Sequence, residues 1–378
     1  MNRRSKSILP SIMSLALVAL AACGGGGGGD GDAGDAAATD DGEFESGTLV
    51  VLGSSPDINA AWQANVDQQF TELTGAQIEW LPGAAPTNLT KLLQSKGGAA
   101  PADVVFLDTP TQTQAIAADV LQELDRDKLA ESGEYLSDEV FPNEGYGPAN
   151  IVIRLGTCVN TAELQKAGIE LEGSIEDWFN PALQGHFSMP DISTFYTQAT
   201  LPALAAHFDV EPDDPSGLLD RIEQAAPVSF WTSTADVQQS LQSGEVWVTP
   251  ILDGRCLNLA LQGQPIEFQP LNLEIEGEDY RYIGLYDTWD LVKGTEKPNL
   301  AHAFIDISLN EQSMSKIQAD YGYLPARSDL LEKAKQDPEL ADMVGDYNPE
   351  DLYVPDYQEW FSNHASTWVD AWNQRFKD

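Results

Sequence analysis

Pro101–Asp125 reads PADVVFLDTPTQTQAIAADVLQELD. Val104, Val105, Phe106 and Leu107 form an apolar run of strand length, β-branched and aromatic and too short for a buried helix, so the pattern predicts an interior parallel strand. Asp108, Thr109, Pro110 and Thr111 come next as a polar loop, and Ile116, Ala117, Val120, Leu121 and Leu124 then recur at helical spacing. Strand, polar loop and helix make the unit of an open α/β sheet. In such sheets the ligand crevice lies beyond the carboxyl ends of the strands, where helix N-termini also point. Asp108 and Thr109 are therefore candidate cleft residues, with helix capping as their other use.

The same unit recurs on both sides of this stretch. Leu49 to Leu52 is a short strand ending in Gly53-Ser54-Ser55-Pro56-Asp57, after which Ala60, Trp62, Val66, Phe70 and Leu73 trace a helix closed by Gly75. Ser54 and Ser55 become cleft candidates by their strand-end position. Ile78, Trp80 and Leu81 predict the next strand, and Leu89, Leu92 and Leu93 a helix. Alternating strands and helices imply a mostly parallel sheet covered by helices. From Gly145 the rhythm changes: Ile151 to Leu155 is a strand with no helix before it, read as a first crossing into a second lobe. Asn160-Thr161 starts a short helix to Gly168, Phe195 to Ala206 is helical around Pro202, and Val246 to Ile251 is a strand whose end, Asp253-Gly254-Arg255, opens another helix. Ile266 to Phe268 is a further strand, Ile283 to Asp290 a second crossing, Ala301 to Leu309 a helix and Gly322 to Arg327 a turn. Tyr357, Trp360, Phe361, Trp368, Val369, Trp372 and Phe376 recur at three- and four-residue intervals, which predicts one amphipathic C-terminal helix.

At 378 residues the chain has room for two domains with cores of their own. Its first residues belong to neither. Arg3, Arg4 and Lys6 precede an apolar run from Ile8 to Leu20, a secretory signal too short for a membrane span of about 20 residues. The tetrapeptide Leu20-Ala21-Ala22-Cys23 resembles the lipobox of bacterial lipoproteins, which implies that Cys23 becomes the lipid-modified first residue. Gly24 onward, rich in Gly, Asp, Ala and Thr as far as Gly47, cannot bury apolar area and reads as a flexible tether. Cys158 and Cys256 lie in a compartment that permits disulfides, and either pair with each other or stand as two buried thiols.

Lys and Arg number 20 against 60 Asp and Glu, a formal charge of −40, which excludes nucleic acid as a partner. The acids are spread along the whole chain, as on a solvated surface suited to high salt; a field that concentrates cations near a cleft is the other reading. His186, His207, His302 and His364 have no ligand spacing, so no metal site is expected. No nucleophile elbow or phosphate loop occurs either, and no catalytic residue or cofactor is assigned.

The order of LAAC, FTELTG at 70–75, PADVVFLDT, CVNTAEL at 158–164, WFNPALQG at 178–185, SGEVWVTPILDGR at 243–255 and YGYLPARSDLL at 321–331 resembles the extracellular solute-binding proteins that feed ABC importers. The resemblance is to the two-lobed group that includes polyamine and ferric-iron receptors. It implies two α/β lobes, each a mostly parallel sheet flanked by helices, joined by hinge crossings. The implied organisation is a lipoprotein signal at 1–23, a tether at 24–46, first-lobe segments at 47–150 and 286–327, a second-lobe segment at 151–285, and helices at 328–378 packing on the second lobe. The implied partners are a small solute, an ABC permease and, through the lipid, a membrane; the receptor acts as a monomer outside the cytoplasm.

In the polyamine receptors a carboxylate at the second crossing contacts a ligand amine; the resemblance puts Asp287 at that place, with binding of backbone amides as its other use, and Asp191 near another acidic position of that group. Asp253 faces the cleft or caps its helix. Tyr196, Trp231, Tyr286 and Trp289 can offer aromatic faces to a cation. Two departures point to a smaller or more polar ligand: Gly53-Ser54-Ser55 replaces the usual aromatics of the first loop, and Leu252 stands where a Trp is expected. The adjacent tyrosines used for ferric iron are missing. A polyamine or related organic cation is the first choice. Ferric iron, thiamine, phosphonate or another small solute, a sensory receptor, and a secreted enzyme using Asp108 and Asp287 as an acid pair are the alternatives.

Overall fold

The computed structural model describes residues 44–377 apart from 131, 137–139, 322, 339 and 346; the signal, Cys23 and most of the tether lie outside the described residues. The first lobe opens with β1 (Thr48–Leu52), α1 (Pro56–Thr74), β2 (Gln77–Leu81), α2 (Ala85–Ser95) and β3 (Val104–Asp108). β1 pairs in parallel with both β2 and β3, and every residue of β3 is buried, as its apolar run predicts.

The segment after β3 departs from the expected loop. α3 (Thr109–Ala117) begins at once, because the Asp108 carboxylate accepts from the Thr111 backbone N–H at 2.9 Å and from its hydroxyl at 2.6 Å. The polar residues expected as a loop are the first turn of that helix. It ends at Ala117, Asp119 takes a left-handed φ of 57°, and Leu121 enters a short strand, β4 (Leu121–Gln122), instead of continuing the helix.

β5 (Ala149–Asn160) is longer than the predicted crossing and buried along its whole length. It leads through α4 (Thr161–Ala167) to the second lobe, which contains β6 (Met189–Pro190), α5 (Phe195–His207), α6 (Ser216–Ala225), β7 (Phe230–Trp231), α7 (Thr234–Ser243), β8 (Val248–Leu252), α8 (Asp253–Leu261) and β9 (Ile266–Gln269). A hairpin of β10 (Leu273–Ile275) and β11 (Glu278–Tyr280) delivers the chain to β12 (Tyr282–Val292), the return crossing.

The two lobes repeat one strand plan. In the first, β12 lies antiparallel between β3 and β4, giving the order β2-β1-β3-β12-β4. In the second, β5 lies antiparallel between β8 and β9, β6 pairs in parallel with β7, and Phe187 bridges Val248 in parallel, giving β7-β6-β8-β5-β9. Each lobe therefore has a parallel sheet into which the other lobe's outgoing strand is inserted. β5 and β12 also pair with each other, Leu155 opposite Ile283 through Ile151 opposite Asp287, so the sheet is continuous through both crossings.

Trp289 sits at the centre of the first-lobe core, with the rings of Phe106 at 4.9 Å, Phe304 at 5.1 Å and Trp62 at 5.7 Å. It is fully buried, so it offers no face to a ligand. The chain ends with α9 (Pro298–Ser308), α10 (Glu311–Tyr321), β13 (Leu324–Pro325), α11 (Ser328–Gln336), α12 (Ala341–Val344), β14 (Leu352–Tyr353), α13 (Tyr357–Asn363) and α14 (Ala365–Phe376). The expected turn at 322–327 contains β13, paired with Ile151 and Val152 of β5. The expected single C-terminal helix breaks at His364, whose Nδ1 meets Asp213 at 2.8 Å. Trp372 of α14 packs on Phe230, and Arg375 pairs with Asp220.

Candidate functional site

A cavity of about 430 Å³ lies where the strand ends of the two lobes face each other. α1, α2 and α3 of the first lobe and α5, α7 and α8 of the second all begin at its wall, contributing Ser54 and Ser55, Ala84 to Pro86, Asp108, Thr194 to Tyr196, Thr234 and Arg255. Ile151, Ile153 and Asp287 of the crossing strands complete the lining. This arrangement comes from the strand-then-helix order: each strand delivers its carboxyl end, and each helix its N–H-bearing end, to the same side.

Asp108 and Asp287 are opposed in the β3–β12 register. The Asp108 carboxylate is engaged by Thr111, whose hydrogen bonds offset part of the rise in pKa that burial imposes. Asp287 is different: among the described residues no donor reaches its carboxylate. Burial first, and repulsion from Asp108 second, hold its pKa well above the usual carboxylate range, against the opposing pull of Arg255.

Tyr196 is a buried phenol whose pKa burial pushes up to about 12, with the neighbouring Arg255 and Thr234 opposing the rise. Trp231 supports that ring from behind, edge-on at 4.9 Å, and its Nε1 donates to Thr249 Oγ1 at 3.0 Å. Burial likewise raises the pKa of Tyr323, which the pairing of β13 with β5 brings to the cavity.

Of the residues singled out from sequence, the structure brings Ser54, Ser55, Asp108, Tyr196 and Asp287 to the cavity wall. The others are placed around it. Thr109 donates its hydroxyl to the Tyr286 carbonyl and accepts the Tyr286 N–H, both at 3.0 Å, tying α3 to β12 beside Asp287. Asp191 accepts from the Ser193 N–H and hydroxyl and from Lys377 Nζ at 3.0 Å; burial pushes its pKa up, but these bonds outweigh burial and hold it low. Asp253 is fully buried and accepts from Arg154 Nε at 2.8 Å and from the Gly254 N–H. Burial raises its pKa despite Arg154.

Arg255 is one of the cavity residues, with Thr234 and Tyr323, that the sequence reading passed over. The signal was present, since it lies in the first turn of a helix after a buried strand, in a chain where basic residues are outnumbered 20 to 60. Its neighbour Cys256 is disulfide-bonded to Cys158 of β5, which fixes the start of α8 against the crossing strand. Among the described residues no cluster of three or more His, Cys, Asp or Glu side chains is arranged to hold a metal.

The profile of bacterial extracellular solute-binding proteins matches residues 65–342. The chain belongs to that family. An ABC transporter structure from Clostridium perfringens superposes with a TM-score of 0.69 at 21% identity, covering 86% of this chain and 99% of that one. Iron-bound HitA from Pseudomonas aeruginosa gives 0.63 at 18% identity, with 85% and 99% covered. A receptor for GABA gives 0.65 at 20% identity, with 86% and 96% covered. At these identities the likeness is one of fold, the two-lobed periplasmic-binding architecture. No curated protein matches the chain. The family are binding proteins that work outside the cytoplasm and serve ABC transporters, which makes a small-molecule ligand and a permease the partners of this chain. No described helix is long and apolar enough to cross a membrane.

Proposed function

We propose that this solute-binding protein captures a small organic cation, a polyamine or a related amine, in the cavity between its lobes. The observation that carries the reading is the Asp287 carboxylate: it lines the cavity, stands beside Asp108 and receives no hydrogen bond from a described residue. A half-buried carboxylate in that state is relieved by a cation. A ligand ammonium would supply charge-assisted hydrogen bonds of about 1.5–3 kcal/mol and favour the ionised form of Asp287. Ser54 and Ser55 lie on the first-lobe side and Tyr196 on the second-lobe side, so one ligand touches both lobes and stabilises their closed arrangement without a covalent step. Leu252 lines the cavity in place of an aromatic, which suits a small amine better than a long polyamine.

The fold neighbours include an iron-bound protein and a receptor for GABA, so the side chains of the cavity and not the fold must choose the solute. A ferric site built on phenolates is disfavoured, because burial raises the pKa of both Tyr196 and Tyr323. In this reading Cys23 carries the lipid that keeps a monomeric receptor at the outer face of the membrane, and the closed form is handed to a permease. The test is a thermal-shift screen against polyamines, amino acids, betaines, thiamine, phosphonates, sugars and ferric ions at low and high salt. A saturable rise in melting temperature with an amine, retained at high salt, supports the reading. Stabilisation by every cation that fades with salt contradicts it, because that is screening of the acidic surface.

A further inference from the structure

The cavity is not built for positive charge alone. Arg255 lines the same cavity as Asp108 and Asp287, and it is near enough to both Asp287 and Tyr196 to perturb their ionisation. The helix starts around the cavity also aim the positive ends of their dipoles at its contents. Asp108 caps α3, Thr194 caps α5 and Ser233 caps α7, whereas α1 and α2 begin with no side-chain cap. A diamine would meet Asp287 at one end but a guanidinium and uncapped helix starts elsewhere.

Resting on the organic-cation reading above, we infer that the solute is an amino-carboxylate zwitterion, its ammonium held by Asp287 beside Asp108 and its carboxylate by Arg255 with the uncapped starts of α1 and α2. A guanidinium presents five donors in a planar fork matched to a carboxylate. Arg255 is on the second lobe and α1 and α2 are on the first, so the carboxylate, like the ammonium, draws the lobes together. The first turn of α8 is held on both sides of Arg255. The buried Asp253–Arg154 pair fixes one side, and the Cys256–Cys158 disulfide fixes the other. A side chain anchored in this way is a specificity-determining residue, selecting among amines by what their far end carries.

The test is a calorimetric titration of the purified protein with probes matched in length: 4-aminobutanoate, 1,4-diaminobutane, butylamine and succinate, then ω-amino acids from glycine to 6-aminohexanoate. At least one zwitterion is expected to bind tenfold or more tighter than the diamine and the monoamine. Arg255→Gln should weaken that zwitterion at least tenfold without weakening butylamine, whose ammonium loses a like charge nearby, and Arg255→Lys should retain part of the affinity. The ranking on the unaltered protein decides the matter even if a variant folds poorly. A diamine that equals or exceeds every zwitterion, or an Arg255→Gln loss shared equally by butylamine, overturns the inference and leaves the organic-cation reading standing. Binding of succinate alone, or of none of the amines, overturns both.

Discussion

Replacing Arg154 with Met removes the charge from one of the most enclosed ion pairs in the molecule. Arg154 lies in the crossing strand β5 and its side chain is 4% exposed; its partner Asp253, at the start of α8, is 0% exposed, with Nε and Oδ2 2.8 Å apart. The guanidinium also donates to the Val344 carbonyl at 3.1 Å and lies over the rings of Tyr282, Tyr347 and Phe268 at 5.2, 5.4 and 5.6 Å. Met keeps the apolar stem but leaves Asp253 buried without its cation, a loss of roughly 3–5 kcal/mol. At about 2 °C per kcal/mol for a chain of this size, the melting temperature should fall by roughly 6–10 °C at neutral pH. Burial already raises the pKa of Asp253 with Arg154 present, and removing the cation raises it further. A carboxyl whose folded pKa is raised weakens the fold at every pH above its unfolded pKa, most fully above the folded one, so the loss should shrink as the pH is lowered toward the ordinary carboxylate range. The double variant Arg154→Met with Asp253→Leu should recover most of the stability. Scanning calorimetry of the three variants at pH 7 and pH 5 is the assay. A melting temperature within 2 °C of the parent, or a loss that does not depend on pH, refutes the reasoning.

Asp287→Asn should raise the melting temperature of the ligand-free protein at neutral pH. The folded pKa of Asp287 is raised, so the ionised group opposes folding there; calorimetry should show the advantage disappearing as the pH falls below the normal carboxylate range. Replacing Cys158 and Cys256 together by Ala opens a loop with a sequence separation of 98 and should cost about 2–4 kcal/mol in a denaturant titration. Mass measurement after alkylation under denaturing, non-reducing conditions should find neither thiol labelled. Cys23→Ala should release the protein from the membrane fraction, and continued membrane association would discredit a lipid on that residue.

The fold was legible because its signals are local. The apolar runs at 104–107 and 151–155, and the strand-to-helix change at 252–253, each identify an element without reference to its partners. Boundaries were less legible wherever a tertiary contact set them. The Asp108–Thr111 capping box moved the start of α3 forward, and the place of Leu121 beside β12 ended the helical reading early. The candidate site divides in the same way. Position at a strand end is enough to bring Ser54, Ser55 and Asp108 to the cavity, whereas Asp287 lies midway along β12 and was reached through the family resemblance. The tasks of Asp191 and Asp253 could not be read, because their partners Lys377 and Arg154 are 186 and 99 residues away. Trp289 looked like Trp231 in composition and spacing, yet one fills the first-lobe core and the other backs Tyr196. Arg255 needed the counterpart observation, that the cavity holds carboxylates for it to oppose.

The most direct measurement is a calorimetric titration of the strongest amine ligand from the thermal-shift screen into the unaltered protein and into Asp287→Ala. Saturable binding to the first is expected, with affinity at least tenfold weaker in the second, a difference of about 1.4 kcal/mol or more. Equal affinity in the two proteins would remove Asp287 from the site and contradict the account.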